Sequence, residues 1–225
     1  MKKIIMPAIL ALAAAVLSPQ LARAQGSLYV SNLGLTSSGS SFVGNDSWLA
    51  ADFWTGTNAG GYSLNSFQLA LADASGNPSG FTAMLYTEVG DAAPLPGSSL
   101  GTLNGSLSPV TGGIYTYSPA SDLVLLPNTP YFIVLTAGTA VANGAYEWSF
   151  TSTHAPTLSG GWHGDDAFLS SSDGLNWHFN SAYAQFGITV TAVPEPSSLG
   201  LLALGGFFLV RHRRKAKAIY EKNNH

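Results

Sequence analysis

The 225-residue chain contains no cysteine. Disulfides, thiolate nucleophiles and thiolate-bound metals are therefore excluded, whichever compartment the protein occupies. Basic residues are nearly as restricted. Of the nine Lys and Arg, Lys2, Lys3 and Arg23 precede Gln25, and Arg211, Arg213, Arg214, Lys215, Lys217 and Lys222 follow Val210. Between those limits and before residue 193 stand ten carboxylates: Asp46, Asp52, Asp73, Glu88, Asp91, Asp122, Glu147, Asp165, Asp166 and Asp173. With His154, His163 and His178 neutral, the formal charge of this stretch is −10. It has nothing with which to neutralise phosphates, so nucleic acid is excluded as a partner. No guanidinium or ammonium can clamp an anionic substrate, and no Lys or Arg salt bridge can form within it. Each carboxylate must be hydrated, bonded to backbone N–H, or paired with a bound cation. Trypsin has no cleavage site from Gln25 to Val210.

The two ends carry what the middle lacks. Met1-Lys2-Lys3 is followed by an uncharged run from Ile4 to Leu17 and then by Leu21-Ala22-Arg23-Ala24-Gln25. A basic start, an apolar run too short to span a bilayer and a small-x-small site predict a signal peptide over 1–24. Ala22 and Ala24 fit the signal-peptidase pocket, which leaves Gln25 as the new first residue. At the other end, Leu199 to Val210 has no polar side chain and runs directly into the basic cluster Arg211, Arg213, Arg214 and Lys215. Even taken from Ser197, a helix here covers about 21 Å of a hydrocarbon core roughly 30 Å thick. It reaches across the inner membrane only if the bilayer thins and Arg211 snorkels. The basic side is then cytoplasmic, and residues 25–192 are translocated.

Val193-Pro194-Glu195-Pro196-Ser197 precedes this anchor helix. The two prolines deny it an upstream extension and favour an extended, accessible segment. The order Pro-Glu-Pro, short apolar helix, Arg-rich cluster over residues 193–215 resembles the PEP-CTERM sorting signal of Gram-negative bacteria. The resemblance implies handling by an exosortase, an integral membrane protease-transpeptidase, and a link to exopolysaccharide and biofilm matrix. The tail at 216–225 is longer than the few basic residues usual for that signal, and it is expected in the cytoplasm.

No sustained helical period occurs between the ends. Short alternating runs cut by turn residues predict an all-β domain over 25–192. Phe67, Leu69 and Leu71 alternate with polar or small residues, as do Tyr146, Trp148 and Phe150, then Leu175, Trp177 and Phe179, then Ala184, Phe186, Ile188 and Val190. Phe81 to Thr87 follows the turn Asn77-Pro78-Ser79-Gly80. Tyr131 to Leu135 is continuously apolar, as expected of a central strand covered on both faces, and Pro127-Asn128-Thr129-Pro130 bounds it. With Leu28 to Val30, Ala51 to Trp54, Ser99 to Leu103 and Ile114 to Tyr117, roughly nine to eleven strands are expected. Their spacing predicts a two-sheet antiparallel β-sandwich of jelly-roll type, plus an N-terminal signal helix and a C-terminal anchor helix. The turns above, Tyr62-Ser63-Leu64, Ser172-Asp173-Gly174 with Trp177, and Gln185-Phe186-Gly187-Ile188 together resemble the choice-of-anchor R family. That family implies an extracellular β module and lends no catalytic residues.

Candidate sites are few. Gly97-Ser98-Ser99-Leu100-Gly101 has the G-x-S-x-G pattern, but a nucleophile elbow needs a strand-to-helix turn that a Pro-rich β segment does not offer. Trp162-His163-Gly164-Asp165-Asp166 gathers an imidazole and two carboxylates on an expected loop. Asp165 and Asp166, or Asp46 and Asp52, are candidates to hold Ca²⁺, although the spacing is not that of an EF-hand. Ser171 to Trp177 is similar to the Asp-box hairpins of sialidase propellers without the residue between Asp and Gly. Its simpler reading is a hairpin turned by Asp173-Gly174. Flat aromatic faces stack on sugars, and Trp48, Trp54 and Trp162, set among Gly, Asn and Asp, are the candidates for a polysaccharide site. Trp148 and Trp177 are expected in the core. The leading expectation is an exported, non-enzymatic envelope or matrix protein without a cofactor. The alternatives are a carbohydrate-binding module and, last, a hydrolase.

Overall fold

The computed structural model describes residues 26–90 and 93–194. The signal peptide with Ala22, Ala24 and Gln25, the motif residues Glu195 and Pro196, the span 199–210 and the basic cluster lie outside them. Among the described residues no helix is long and apolar enough to cross a membrane.

Among the described residues the alternating runs become fifteen strands. They are β1 (Ser27–Ser31), β2 (Gly39–Val43), β3 (Trp48–Trp54), β4 (Tyr62–Gly76), β5 (Thr82–Val89), β6 (Leu95–Asn104), β7 (Gly113–Pro119) and β8 (Val124–Leu125). Then follow β9 (Pro130–Thr136), β10 (Gly144–Thr151), β11 (Thr157–Leu158), β12 (His163–Ser171), β13 (His178–Phe179), β14 (Tyr183–Ala184) and β15 (Phe186–Ala192). The excess over the expected number comes mainly from two-residue strands at the edges, which periodicity cannot register. A single 3-10 turn, Val141–Asn143, is the helical element among the described residues.

All pairing is antiparallel, along the path β11-β1-β15-β4-β7-β6-β5-β9-β3-β12-β13. The long β4 organises the first half: β15 pairs along Tyr62 to Leu69 and β10 along Leu71 to Gly76 on one edge, with β7 on the other. The second half runs from β6 to β13. The halves are joined through β6 and β7 at Leu103↔Pro119 and Asn104↔Ser118, so the sheet curls there and its halves face each other.

The inner core lies between them. Phe53 of β3 meets Phe67 of β4 edge-on at 5.4 Å, and Trp148 of β10 meets Phe168 of β12 at 5.7 Å. Tyr131, Ile133 and Leu135 point into this core, while Phe132 and Val134 join a second apolar cluster on the outer face. The continuous apolar run of β9 is thus explained by cover on both faces. Burying such side chains contributes about 1.5–3 kcal/mol each.

Buried polar groups are paired where the chain switches partners. Between β14 and β15, Asn32 Nδ2 donates to Ala184 O (2.7 Å) and Phe186 N–H donates to Asn32 Oδ1 (2.8 Å). Trp148 Nε1 donates to Gln185 O (3.0 Å) and Gln185 Nε2 to Leu35 O (2.8 Å). These side chains add partners for the backbone at a buried break between two strands, where Gln185 O also accepts the Ala70 N–H of β4 (3.1 Å).

Candidate functional site

Residues opposite one another in an antiparallel ladder share a face of the sheet. On the outer face of the second half, β3 places Trp48, Ala50, Asp52 and Trp54 beside Pro130, Phe132 and Val134 of β9. Beyond β9 lie Met84, Tyr86 and Glu88 of β5, and on the other flank β12 places His163 opposite Trp54 and Leu169 opposite Ala50. Ala50, Phe132, Val134, Ala167 and Leu169 are buried there, with Trp48, Met84, Tyr86, Leu95 and Trp177 packed around them.

Asp52 is set into this face and is 1% exposed. Its position is explained by an irregularity in β12. Gly164 pairs with Phe53 and Phe168 with Ala51, so three residues of β12 bulge opposite Asp52 alone. A bulge leaves backbone donors outside the ladder. Asp52 Oδ1 accepts one of them, the N–H of Ala167, at 2.7 Å. Glu88 is half-buried on the same face, and its Oε2 is buried without a hydrogen-bond partner. Burial first, and then the charge of Asp52, push the Glu88 carboxyl up to about 7. A carboxyl shifted toward neutrality beside a second carboxyl is a setting in which acid–base chemistry occurs. Asp52, however, is closed to solvent, so substrate does not reach it in this conformation.

The three candidate tryptophans separate. Trp54 is 40% exposed at the end of β3 and presents its ring on the outer face. Trp48 is half-buried, donates Nε1–H to Asn45 O (3.1 Å) and packs over Gly174, whose φ of +72° brings its backbone against the ring. Trp162 is a correction: it is 1% exposed and belongs to the inner core, so no sugar can stack on it. Gly160 and Gly161, at φ +59° and +74°, turn the chain so that the indole folds inward. There it lies parallel to Phe53 (6.0 Å, 4°) and edge-on to Tyr62 (4.9 Å, 79°).

Asp173 and Gly174 do turn the chain. Asp173 Oδ1 accepts from Asn176 N–H (2.8 Å), Leu175 N–H (2.9 Å) and Ser171 Oγ (2.9 Å), and Oδ2 accepts from Asn176 Nδ2 (2.7 Å). These donors, the Asn176 N–H foremost, hold its carboxyl well below the usual range. The expected strand through Leu175, Trp177 and Phe179 is not formed over that length. The Asp173 carboxylate draws the Leu175 and Asn176 N–H groups into the turn, so Leu175 is 81% exposed and only His178–Phe179 pairs with β12. Phe179, expected inward, is 54% exposed.

The calcium candidates are placed differently from expectation. Asp165 and Asp166 fall within β12, at its bulge, rather than on a loop; their side chains lie outside the description. Asp46 Oδ1 accepts Val141 N–H at 2.9 Å, so Asp46 and Asp52 serve different segments. Among the described residues there is no group of three or more His, Asp or Glu arranged to hold a metal ion. Gly97 to Gly101 lies inside β6, with Ser99 paired to Tyr86. The G-x-S-x-G pattern is therefore strand, not a nucleophile elbow.

The closing strand leads to the remaining site. β15 ends at Ala192, paired with Tyr62, and Pro194 follows after one intervening residue, Val193. A β domain that passes without a linker into Pro-Glu-Pro, an apolar run and a basic cluster defines an exported protein with a C-terminal sorting signal. Residues 192–215 match the family described as the PEP-CTERM protein-sorting motif, which indicates export and exosortase-dependent sorting toward the cell surface. The match covers this segment and leaves the β domain outside it. No curated protein matches the chain.

Proposed function

We propose that the protein is a non-enzymatic component of the envelope or exopolysaccharide matrix of a Gram-negative bacterium, left at the surface or released after exosortase processing. The observation that carries this reading is the sorting motif at 192–215, attached directly to an acidic β domain that has no Lys or Arg. The curled sheet is read as a jelly-roll sandwich, supported by the core closed between its halves. The likeness to choice-of-anchor R is supported by the turns at Asn77–Gly80 and Pro127–Pro130, where Gly80 and Asn128 take positive φ. Mass spectrometry of both termini, from cells with and without an exosortase, tests the reading. The expected surface product begins at Gln25 and lacks Arg211 to His225. Surface material that keeps the basic tail in the exosortase-positive host overturns it.

Trp54 favours a second reading, a carbohydrate-binding module. Its ring is exposed on a sheet face beside Pro130 and His163, a setting suited to stacking on a sugar. The acidic domain favours neutral or cationic glycans over anionic ones. A Ca²⁺ ion at Asp165 and Asp166 belongs to the same reading. Glycan-array binding by the purified domain, lost in Trp54→Ala, is the expected result. No binding to any neutral or amino-sugar glycan removes this alternative. Equal melting temperatures in EDTA and millimolar Ca²⁺ remove the ion.

A further inference from the structure

The residues just before the sorting motif are held by a turn that is distant in sequence. Asn58 to Gly61 forms a tight turn closed by Gly61 N–H donating to Asn58 O (2.8 Å). Asn58 Nδ2 donates to Gly61 O (2.6 Å) and also to Val193 O (2.9 Å). Val193 N–H in turn donates to Gly61 O (3.0 Å). Both backbone polar groups of Val193 are therefore occupied beyond the last ladder pair, Ala192↔Tyr62. The turn is itself anchored. Asn58 N–H donates to the Tyr62 hydroxyl (3.1 Å), and the Tyr62 ring packs edge-on against buried Trp162. Gly60 permits the close approach, because a Cβ there would overlap the carbonyl of Val193.

We infer that the Asn58–Gly61 turn is a clamp that closes the β domain at Val193 and confines processing of the sorting signal to bonds C-terminal to that residue. The inference rests on the sorting reading above. A protease binds its substrate as an extended strand through backbone N–H and C=O groups on both sides of the scissile bond. Val193 cannot offer those groups while the clamp holds them. The first residue free of the clamp is Pro194, the first residue of Pro-Glu-Pro. Asn58 is thus a positioning residue: it touches no scissile bond but decides where the accessible chain begins.

The test uses the full-length chain and the variants Asn58→Ala, which removes the two side-chain donations, and Gly60→Ala, which pushes a methyl group into Val193. Two readouts are taken. The first is amide exchange at Val193 in purified protein, expected to quicken about tenfold in Asn58→Ala while the β4–β15 ladder amides at Gln68 and Gly187 keep their protection. The second is the C-terminal residue left by proteinase K on purified protein and by the exosortase-positive host. Wild type is expected to end at Val193 or later in both. The variants are expected to give additional ends before Val193 with proteinase K. Identical ends and identical Val193 exchange in all three proteins overturn the clamp. Absence of host processing in wild type, with the proteinase K difference intact, overturns the sorting reading and leaves the clamp standing.

Discussion

The two apolar clusters of this molecule share strands β3, β9 and β12 and differ in what closes them. The inner one is walled by sheet on both sides and holds Phe53, Phe67, Tyr146, Trp148, Trp162 and Phe186, all nearly inaccessible. The outer one uses the opposite faces of β3, β9 and β12 but is covered only by side chains, chiefly half-buried Trp48, Met84, Tyr86 and Trp177. A sheet-walled core excludes water completely and tolerates few polar groups. A core roofed by side chains admits a carboxylate at its margin, and Asp52 and Glu88 are there. The sequence gives no hint of this division beyond the unbroken apolar run of β9.

The comparison is tested most severely by truncation. Phe53→Ala is expected to cost about 3–5 kcal/mol, because the facing sheets cannot close over the space. Leu169→Ala on the outer face is expected at the low end of its class, about 2–3 kcal/mol, since Trp48 and Met84 can move inward. Urea denaturation of both variants decides the matter, and equal losses mean that the outer roof is as rigid as the inner walls.

Asp52→Ala is expected to cost about 1–3 kcal/mol, because the Ala167 N–H is left buried without its acceptor. The same variant should lower the Glu88 titration midpoint from about 7, though not to the ordinary 4.5, since burial is the larger cause. Carboxyl-selective NMR across pH 3–9 reads this. A midpoint that does not move removes Asp52 as a cause.

The smallest effect expected is that of Glu88→Gln. Folded protein keeps the Glu88 proton up to about 7, whereas the unfolded chain releases it near 4.5. The native state therefore binds the extra proton in that window, and stability falls as pH rises through it. Above about 7 the penalty is complete. Glu88→Gln should then be more stable than wild type at pH 8 by about 1 kcal/mol, a value reduced by water screening of a half-buried group. This corresponds to about 2–4 °C in melting temperature. At pH 4 the two should melt together. A gain of the same size at pH 4 assigns the effect to something other than ionisation.

How legible the molecule is depends on the range of the interaction. Phe67, Leu69 and Leu71, then Tyr146 and Trp148, then Phe186, Ile188 and Val190 alternate in sequence and do line the inner core. Their faces follow from a period of two, which is local. Leu175 and Phe179 alternate equally well and are exposed, because one carboxylate two to three residues upstream captured the intervening backbone donors. Trp162, among glycines and acids, reads as a loop platform. Its burial was decided by two positive-φ glycines and by the rings of Phe53 and Tyr62. Asn58-Ala59-Gly60-Gly61 reads as a turn, and nothing in it points to Val193.

By itself, the sequence determined the properties that depend on composition and short-range order. Those are the absence of thiol chemistry, an acidic domain without Lys or Arg, the antiparallel all-β class and the sorting motif at residues 192–215. Each is carried by residue type or by spacing along the chain, which folding does not alter. Only the tertiary structure decided which carboxylate is buried, which tryptophan is exposed and where the domain ends. Asp52 meets Ala167 across 115 residues and Asn58 meets Val193 across 135. Such contacts are fixed by the register of strands distant in sequence, and a local pattern of residues contains no record of that register.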